Sequence, residues 1–164
     1  MTKLEIIKLK ILDENQLNQQ LAVWRFLNKK IVFTNGCFDI IHLGHIDYLS
    51  KAKDLGDILL IGLNTDDSVK RLKGNNRPIK NQLERSVLLA SLQFIDGIIL
   101  FNEDTPYELI KKVKPNILVK GSDYKKEDIV GADIIENTGG DIITIDFLEG
   151  YSTTSILDKI RKST

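Results

Sequence analysis

The chain is short of the residues that build stapled, spanning or strongly charged proteins. Of 164 residues, one is cysteine, three are proline, one is tryptophan and two are histidine. A lone Cys37 has no partner for an internal disulfide, which excludes the disulfide-framed secreted scaffolds and fits a reducing compartment. No segment approaches the roughly 18 continuous apolar residues of a membrane span, and residues 1–30 hold no apolar run of the signal-peptide kind. The expectation is a cytoplasmic protein without a membrane role. An excess of either charge is missing too: 23 Lys plus Arg balance 23 Asp plus Glu. That gives no footing for a nucleic-acid partner. No P-loop run occurs, since Lys120-Gly121-Ser122 has its lysine ahead of the glycine. No Gly-x-Gly-x-x-Gly follows a strand, and no Gly-x-Ser-x-Gly elbow is present. P-loop kinases, dinucleotide oxidoreductases and triad hydrolases are therefore disfavoured.

What is present has the proportions of one globular domain, 42% hydrophobic and 28% charged, long enough to bury a core. Five apolar runs recur: Ile31–Thr34, Ile58–Leu63, Gly97–Phe101, Ile117–Val119 and Ile142–Phe147. Most lack polar alternation, as strands covered on both faces do. Amphipathic stretches separate them, with Leu83, Val87, Ala90 and Phe94 at helical spacing. Thr105-Pro106-Tyr107-Glu108 reads as a capping box opening a helix that Pro115 stops, and Ser152 or Thr153 can cap a last helix with Ile156, Leu157 and Ile160 facing inward. Asp13 can cap an earlier one, in which Leu17, Leu21, Trp24 and Leu27 form a stripe. The alternation predicts a Rossmann-like, doubly wound parallel α/β sheet of five strands. Residues 1–30 are expected as a helical extension and residues 31–164 as the main domain. The stripe with Trp24 needs cover, from the domain or from a second copy, and a homodimer is expected. The polar run Lys70 to Gln82 reads as a mobile loop.

The chemistry concentrates where a ligand of such a fold would sit, beyond the strand C-termini. Gly36-Cys37-Phe38-Asp39-Ile40-Ile41-His42-Leu43-Gly44-His45 follows the first apolar run and leads into a helix. Both histidines of the chain fall in this window, three apart and so on one helix face. A helix N-terminus offers free N–H groups and partial positive charge to phosphate, and Gly44 leaves room for it. That points to nucleotide chemistry at phosphorus. Zinc is the competing use of Cys37, His42 and His45, but no further Cys/His pair exists to close a structural site. Asp39 either caps the turn or faces magnesium, the structural role being favoured. Gly150-Tyr151-Ser152-Thr153-Thr154 carries more hydroxyls than a cap needs, which suggests anion binding when joined to the histidine motif. Among Arg71, Lys73, Arg77, Lys80 and Arg85, the candidates for polyphosphate or an anionic substrate are Lys73, Arg77 and Arg85; Lys80 reads as solvated. Lys120, Gly121 and Asp123 close the fourth strand, where a ligand role is favoured over a plain turn.

With these residues in view, the chain resembles the cytidylyltransferase-like branch of the HIGH-type nucleotidyltransferases. Gly36 to His45 and Gly150 to Thr154 carry the likeness, in order, across nearly all of Ile31 to Ile160. Within the branch it looks most like the stand-alone heptose 1-phosphate adenylyltransferases. Phe33 to Asp39, Leu63 to Val69, Arg71 to Gly74 with Arg77-Pro78, and Val119 to Tyr124 carry that closer likeness. Phe147 stands where the glycerol-3-phosphate cytidylyltransferases place an arginine, a departure that weighs against the cytidylyl alternative. The resemblance implies transfer of an adenylyl group from ATP to heptose 1-phosphate, for surface glycan precursors such as those of lipopolysaccharide, with a separate sugar kinase upstream. His42 and His45 would meet the phosphates and the transition state. The backbone N–H groups of Cys37 and Phe38 would hold the α-phosphate region, and Gly150, Ser152, Thr153 and Thr154 the polyphosphate. Gly121 and Asp123 would lie near base or ribose, and magnesium would bridge phosphate oxygens with few protein ligands. A glycerol-3-phosphate cytidylyltransferase, another small-acceptor nucleotidyltransferase and a non-catalytic nucleotide-binding module are the alternatives.

Overall fold

The computed structural model describes residues 1–125 and 128–163. Its described residues form a six-stranded, all-parallel sheet rather than the five strands expected. The strands are β1 (Ile11–Leu12), β2 (Ile31–Gly36), β3 (Ile58–Asn64), β4 (Gly97–Phe101), β5 (Ile117–Gly121) and β6 (Asp141–Ile145), in the spatial order β1-β4-β3-β2-β5-β6. The helices are α1 (Lys3–Lys8), α2 (Glu14–Phe26), α3 (Leu43–Lys53), α4 (Asp66–Lys73), α5 (Gln82–Ala90), α6 (Tyr107–Val113), α7 (Ala132–Thr138) and α8 (Thr153–Lys162).

The additional strand, β1, comes from residues 1–30. It pairs Ile11 with Ile98 and Leu12 with Ile99 at the edge of the sheet, and two residues carry too short an apolar pattern to read as a strand. The same segment holds α1, capped by Thr2, and α2, capped by Asp13 through a reciprocal bond with Gln16. Leu17, Leu21 and Trp24 are buried with Phe33, Leu60 and Leu118 in one core cluster. Burying side chains of this size contributes roughly 1.5–3 kcal/mol each. Trp24 is thus covered by its own chain, and Leu27, expected on the stripe, is exposed at the helix end.

Successive residues of a strand point to opposite faces. Phe33, Leu60 and Leu118 pack beneath α2, α6 and α7, through Leu17, Ile110, Val113 and Ile135. Val32, Ile61 and Val119 pack beneath α3 and α5, through Tyr48, Leu49, Ala52 and Leu89. β3 is buried along its whole length, which explains its continuous apolar run. After β2 the chain moves outward to β3 and β4, then crosses back to place β5 on the other side of β2. The C-terminal ends of β2 and β5 therefore border the switch-point crevice where ligands bind in such sheets.

Three local expectations are corrected. α6 starts at Tyr107 after Pro106, with no side-chain cap, so the Thr105–Glu108 box does not form; its end before Pro115 is as expected. Ile160 is exposed on α8, whereas Ile156 and Leu157 are half-buried. Within Lys70 to Gln82, the first residues belong to α4, Gln82 opens α5, and between them Arg77, Ile79 and Lys80 bond Asp39.

Candidate active site

β2 ends at Gly36, and the chain turns through Phe38, whose φ of 44° lies in the left-handed region. A bulky residue held there is strained, and such strain gathers at functional turns. The turn aims the chain into α3, with His42 as its N-cap and no side-chain cap bond. The first N–H groups of α3 thus lack a side-chain acceptor, as a phosphate cradle requires.

The two imidazoles stack, with ring centroids 3.8 Å apart and planes 24° from parallel, and the Phe38 ring stands edge-on to His45 at 5.3 Å. Burial, then the neighbouring His42 and Lys73, push His45 down to about 4. Burial lowers His42 as well. Both rings are therefore neutral near pH 7. Nδ1 of each is buried and has no hydrogen-bond partner among the described residues. A neutral imidazole keeps one N–H to give, and two side by side can serve adjacent phosphoryl oxygens without the repulsion of two cations.

A cavity of about 500 Å³ opens over the ends of β2, β3 and β5. Cys37, Phe38, His45, Lys73, Lys120, Gly121 and Asp123, all singled out in the sequence, line it. At Gly121 a Cβ would collide with the Phe147 ring and come within 2.6 Å of Asp123 Oδ1, so any larger residue must push Phe147 aside. Lys120 is buried and donates to Asn35 Oδ1, and burial pushes its ammonium down to about 8.

The Gly150 turn reaches the same helix end from the far side of the chain. A Cβ on Gly44 would lie 3.1 Å from Tyr151 Cβ and 3.0 Å from the His42 ring, so the two motifs touch at the first turn of α3. Gly150 takes a φ of 82°, and Ser152 caps α8 by accepting from the Ser155 N–H at 3.0 Å. Ser152 and Thr154 are exposed and Thr153 half-buried; like His42, they sit beside the cavity rather than among the residues that line it.

Two arginines have other work. Arg85 is fully buried. It donates to the carbonyls of Cys37 at 2.7 Å and Lys80 at 3.0 Å, and to Asp66 at 2.7 Å. Its guanidinium fixes the backbone of the site turn and is not presented to polyphosphate. Arg77 Nε donates to Asp39 at 2.6 Å, and Arg77 does not line the cavity. Asp39 is 2% exposed and also accepts from the N–H groups of Ile79 and Lys80, so the turn-holding role prevails over a metal-facing one. Among the described residues no group of three His, Cys, Asp or Glu is placed to hold a metal.

Sequence reasoning passed over Asn35, Asn64, Tyr48 and Phe147 as lining residues. Asn35 and Asn64 had a signal, since each is a polar residue near the end of an apolar strand. Tyr48 bonds Thr34 at 2.8 Å, and its ring lies 5.7 Å from that of Phe147.

A family model described as cytidylyltransferase-like matches residues 33–159. Among curated proteins the chain is 60% identical over 133 residues to the bifunctional protein HldE of a Nitratiruptor species, covering 81% of this chain and 28% of that one. It is 58% identical over 134 residues to the bifunctional protein HldE of Campylobacter jejuni subsp. jejuni serotype O:2, covering 82% and 28%. The chain thus spans under a third of the length of these relatives. Among solved structures, a lipopolysaccharide core biosynthesis protein from Thermoplasma volcanium superposes with a TM-score of 0.59 at 31% identity, over 76% of this chain and 99% of that one. A pantoate-beta-alanine ligase from Francisella tularensis, at 18% identity and a TM-score of 0.57 over 93% and 77%, shares the fold. No helix of the described residues is long and apolar enough to cross a membrane.

Proposed function

From the premise that this chain belongs to the cytidylyltransferase-like family and is a nucleotidyltransferase, we propose that it joins ATP to heptose 1-phosphate, giving ADP-heptose and pyrophosphate. The likeness of Phe33 to Asp39, Leu63 to Val69 and Val119 to Tyr124 to the heptose 1-phosphate adenylyltransferases supports this choice. So does the similarity to a lipopolysaccharide core biosynthesis protein. The observation that carries the chemistry is the stacked, neutral histidine pair at the open N-terminus of α3, touching the Gly150 turn beside the switch-point cavity.

A phosphate oxygen of the sugar 1-phosphate attacks the α-phosphorus in line. The new bond is O–Pα, the bond to the bridging oxygen of pyrophosphate breaks, and the electron pair leaves with pyrophosphate. The nucleophile is already anionic at neutral pH, so no general base is needed. Positioning and charge stabilisation then lower the barrier. His42 and His45 donate to oxygens that gain charge, with the N–H groups of Cys37 and Phe38 around the α-phosphate and those of α8 near Ser152, Thr153 and Thr154 around the polyphosphate. Lys73 balances charge at the cavity mouth. Magnesium would enter as part of the MgATP substrate and offset charge on the triphosphate.

The acceptor must already carry its phosphate, so a sugar kinase acts upstream. A homodimer is also proposed, supported by exposed Val23, Phe26 and Leu27 around the end of α2. Sedimentation velocity tests it, a single monomeric boundary counting against it. The catalytic proposal is tested by pyrophosphate release with heptose 1-phosphate and glycerol 3-phosphate, each offered ATP and CTP. Release is expected from ATP with heptose 1-phosphate. Preference for CTP with glycerol 3-phosphate would substitute the cytidylyl reading, and nucleotide binding without release from any pair would make the chain a non-catalytic binding module.

A further inference from the structure

The histidine pair and the α8 turn belong to the face of the sheet covered by α3. The cavity does not stop there: it crosses the strand ends to the opposite face. Phe33, Leu60 and Leu118 point to that opposite face, beneath α6 and α7. By two-residue alternation Asn35 and Lys120 continue the same row. A Cβ on Gly62 would meet both Phe33 Cζ and Asn35 Cβ, which confirms that these share a side. On this side the cavity is bordered by Pro106 at the start of α6 and by Ile129 and Val130 ahead of α7.

Lys120 is 9% exposed, yet no carboxylate lies within ion-pair distance of it among the described residues. Among the described residues its side chain has one bond, to Asn35 Oδ1. An ammonium has only donors, so this bond fixes the Asn35 amide with its oxygen on the lysine and its NH₂ group turned away. That NH₂ has no partner among the described residues, and Lys120 keeps two N–H groups to give. A buried cation without a counter-ion is costly. Because Lys120 lines the cavity, an anionic group of a ligand there is in position to supply the counter-ion.

We propose that Lys120 and Asn35 form the subsite for the acceptor's own phosphate, separate from the triphosphate cradle on α3 and α8. The inference rests on the two-substrate reading above. In-line displacement needs the entering phosphate and the leaving pyrophosphate on opposite sides of the α-phosphorus. The histidine motif and the Gly150 turn occupy one side of the sheet edge, and the Lys120–Asn35 pair occupies the other. Burial of the ammonium lowers its basicity, and an anion placed beside it would offset that cost.

The test titrates inorganic phosphate calorimetrically into the full chain with a non-hydrolysable ATP analogue bound. Lys120→Gln should weaken phosphate binding by about 10- to 100-fold, the range for losing a charged hydrogen bond. Affinity for the ATP analogue should stay within about twofold, and Lys120→Arg should restore part of the loss. In turnover, whichever acceptor of the pyrophosphate screen is active should show the same rise in KM, with KM for the nucleotide unchanged. A wrong sugar leaves this comparison intact, because the phosphate titration does not depend on the sugar. Equal loss for the ATP analogue, unchanged phosphate affinity, or no phosphate binding by the unaltered chain would overturn the assignment. Should Lys120→Gln fail to fold, Asn35→Ala carries the same test, with a loss of phosphate affinity expected and none of nucleotide affinity.

Discussion

Asp39→Asn separates the two uses of the motif's carboxylate. Asp39 accepts from Arg77 Nε at 2.6 Å, from the Ile79 N–H at 2.8 and 2.9 Å and from the Lys80 N–H at 2.9 Å. Burial alone would raise its pKa. The N–H groups of Lys80 and Ile79 and the Arg77 guanidinium outweigh burial and hold the carboxyl below its ordinary value. Asparagine keeps the shape and one oxygen, but turns an NH₂ toward donors and removes the charge that faces Arg77. Breaking one side of a buried ion pair costs about 3–5 kcal/mol. Arg77 retains some solvent access, 17% of its side chain, which reduces the loss to roughly 2–3 kcal/mol. For a domain of this size that lowers Tm by roughly 6–10 °C. The assay is thermal and urea unfolding beside turnover as a function of magnesium concentration. Stability should fall while the half-saturating magnesium concentration stays put. The depressed carboxyl contributes stability that is whole above its unfolded pKa of about 3.8 and lost as pH falls through the folded value, so the variant should also lose part of its acid-unfolding slope. Unchanged melting together with a steep new demand for magnesium would refute the reasoning and turn Asp39 toward the metal.

His42→Ala and His45→Ala should each lower kcat by about 10²- to 10³-fold, the effect of losing one preorganised donor, with folding retained; near-normal turnover in both would remove the pair from the chemistry. His45 binds a proton only near pH 4 when folded but near 6.5 when unfolded, so its stability contribution is whole above 6.5 and is lost as pH falls toward 4. His45→Gln should flatten that part of the stability profile by about 2 kcal/mol after allowing for partial solvent access, and an unaltered slope would mean that the ring protonates in the fold as it does in water. Arg85→Met should cost about 3–4 kcal/mol in urea unfolding, because it strands Asp66 and the Cys37 carbonyl. A loss of kcat at unchanged stability would instead give Arg85 a substrate contact. Gly121→Ala should raise substrate KM, because its Cβ displaces Phe147 at the cavity wall, and unchanged kinetics would place that wall outside the bound complex.

The parallel sheet was legible because its central strands are buried on both faces, which writes itself as unbroken apolar runs such as Ile58 to Leu63. β1 was not, since two residues at an edge have no period to detect. The Thr105 cap failed for a related reason. Thr, Pro and Glu at those positions suit a helix start, but Pro106 takes the end position, with φ −78° and ψ 13°, a backbone unlike that of a cap. Local preference was outweighed by the path between a strand and the helix that covers it.

At the site, the histidine motif was legible because its spacing, glycine and helix start lie within ten residues. The arginines show what spacing leaves out. Arg77 and Arg85 sit in a basic run that reads as an anion contact, yet an arginine's length lets it reach carboxylates and carbonyls far away in sequence, here Asp39 and Cys37. A cation is free to meet a ligand only if nothing nearer has taken its donors, and that is a property of the packed turn rather than of the run. The converse holds for Lys120. Asn35 and Lys120 each end an apolar strand in a polar side chain, but they lie 85 positions apart. They become neighbours only because the chain, after β4, crosses back to set β5 beside β2. The same crossing makes the crevice, so the residues it brings together are those that face whatever the crevice holds.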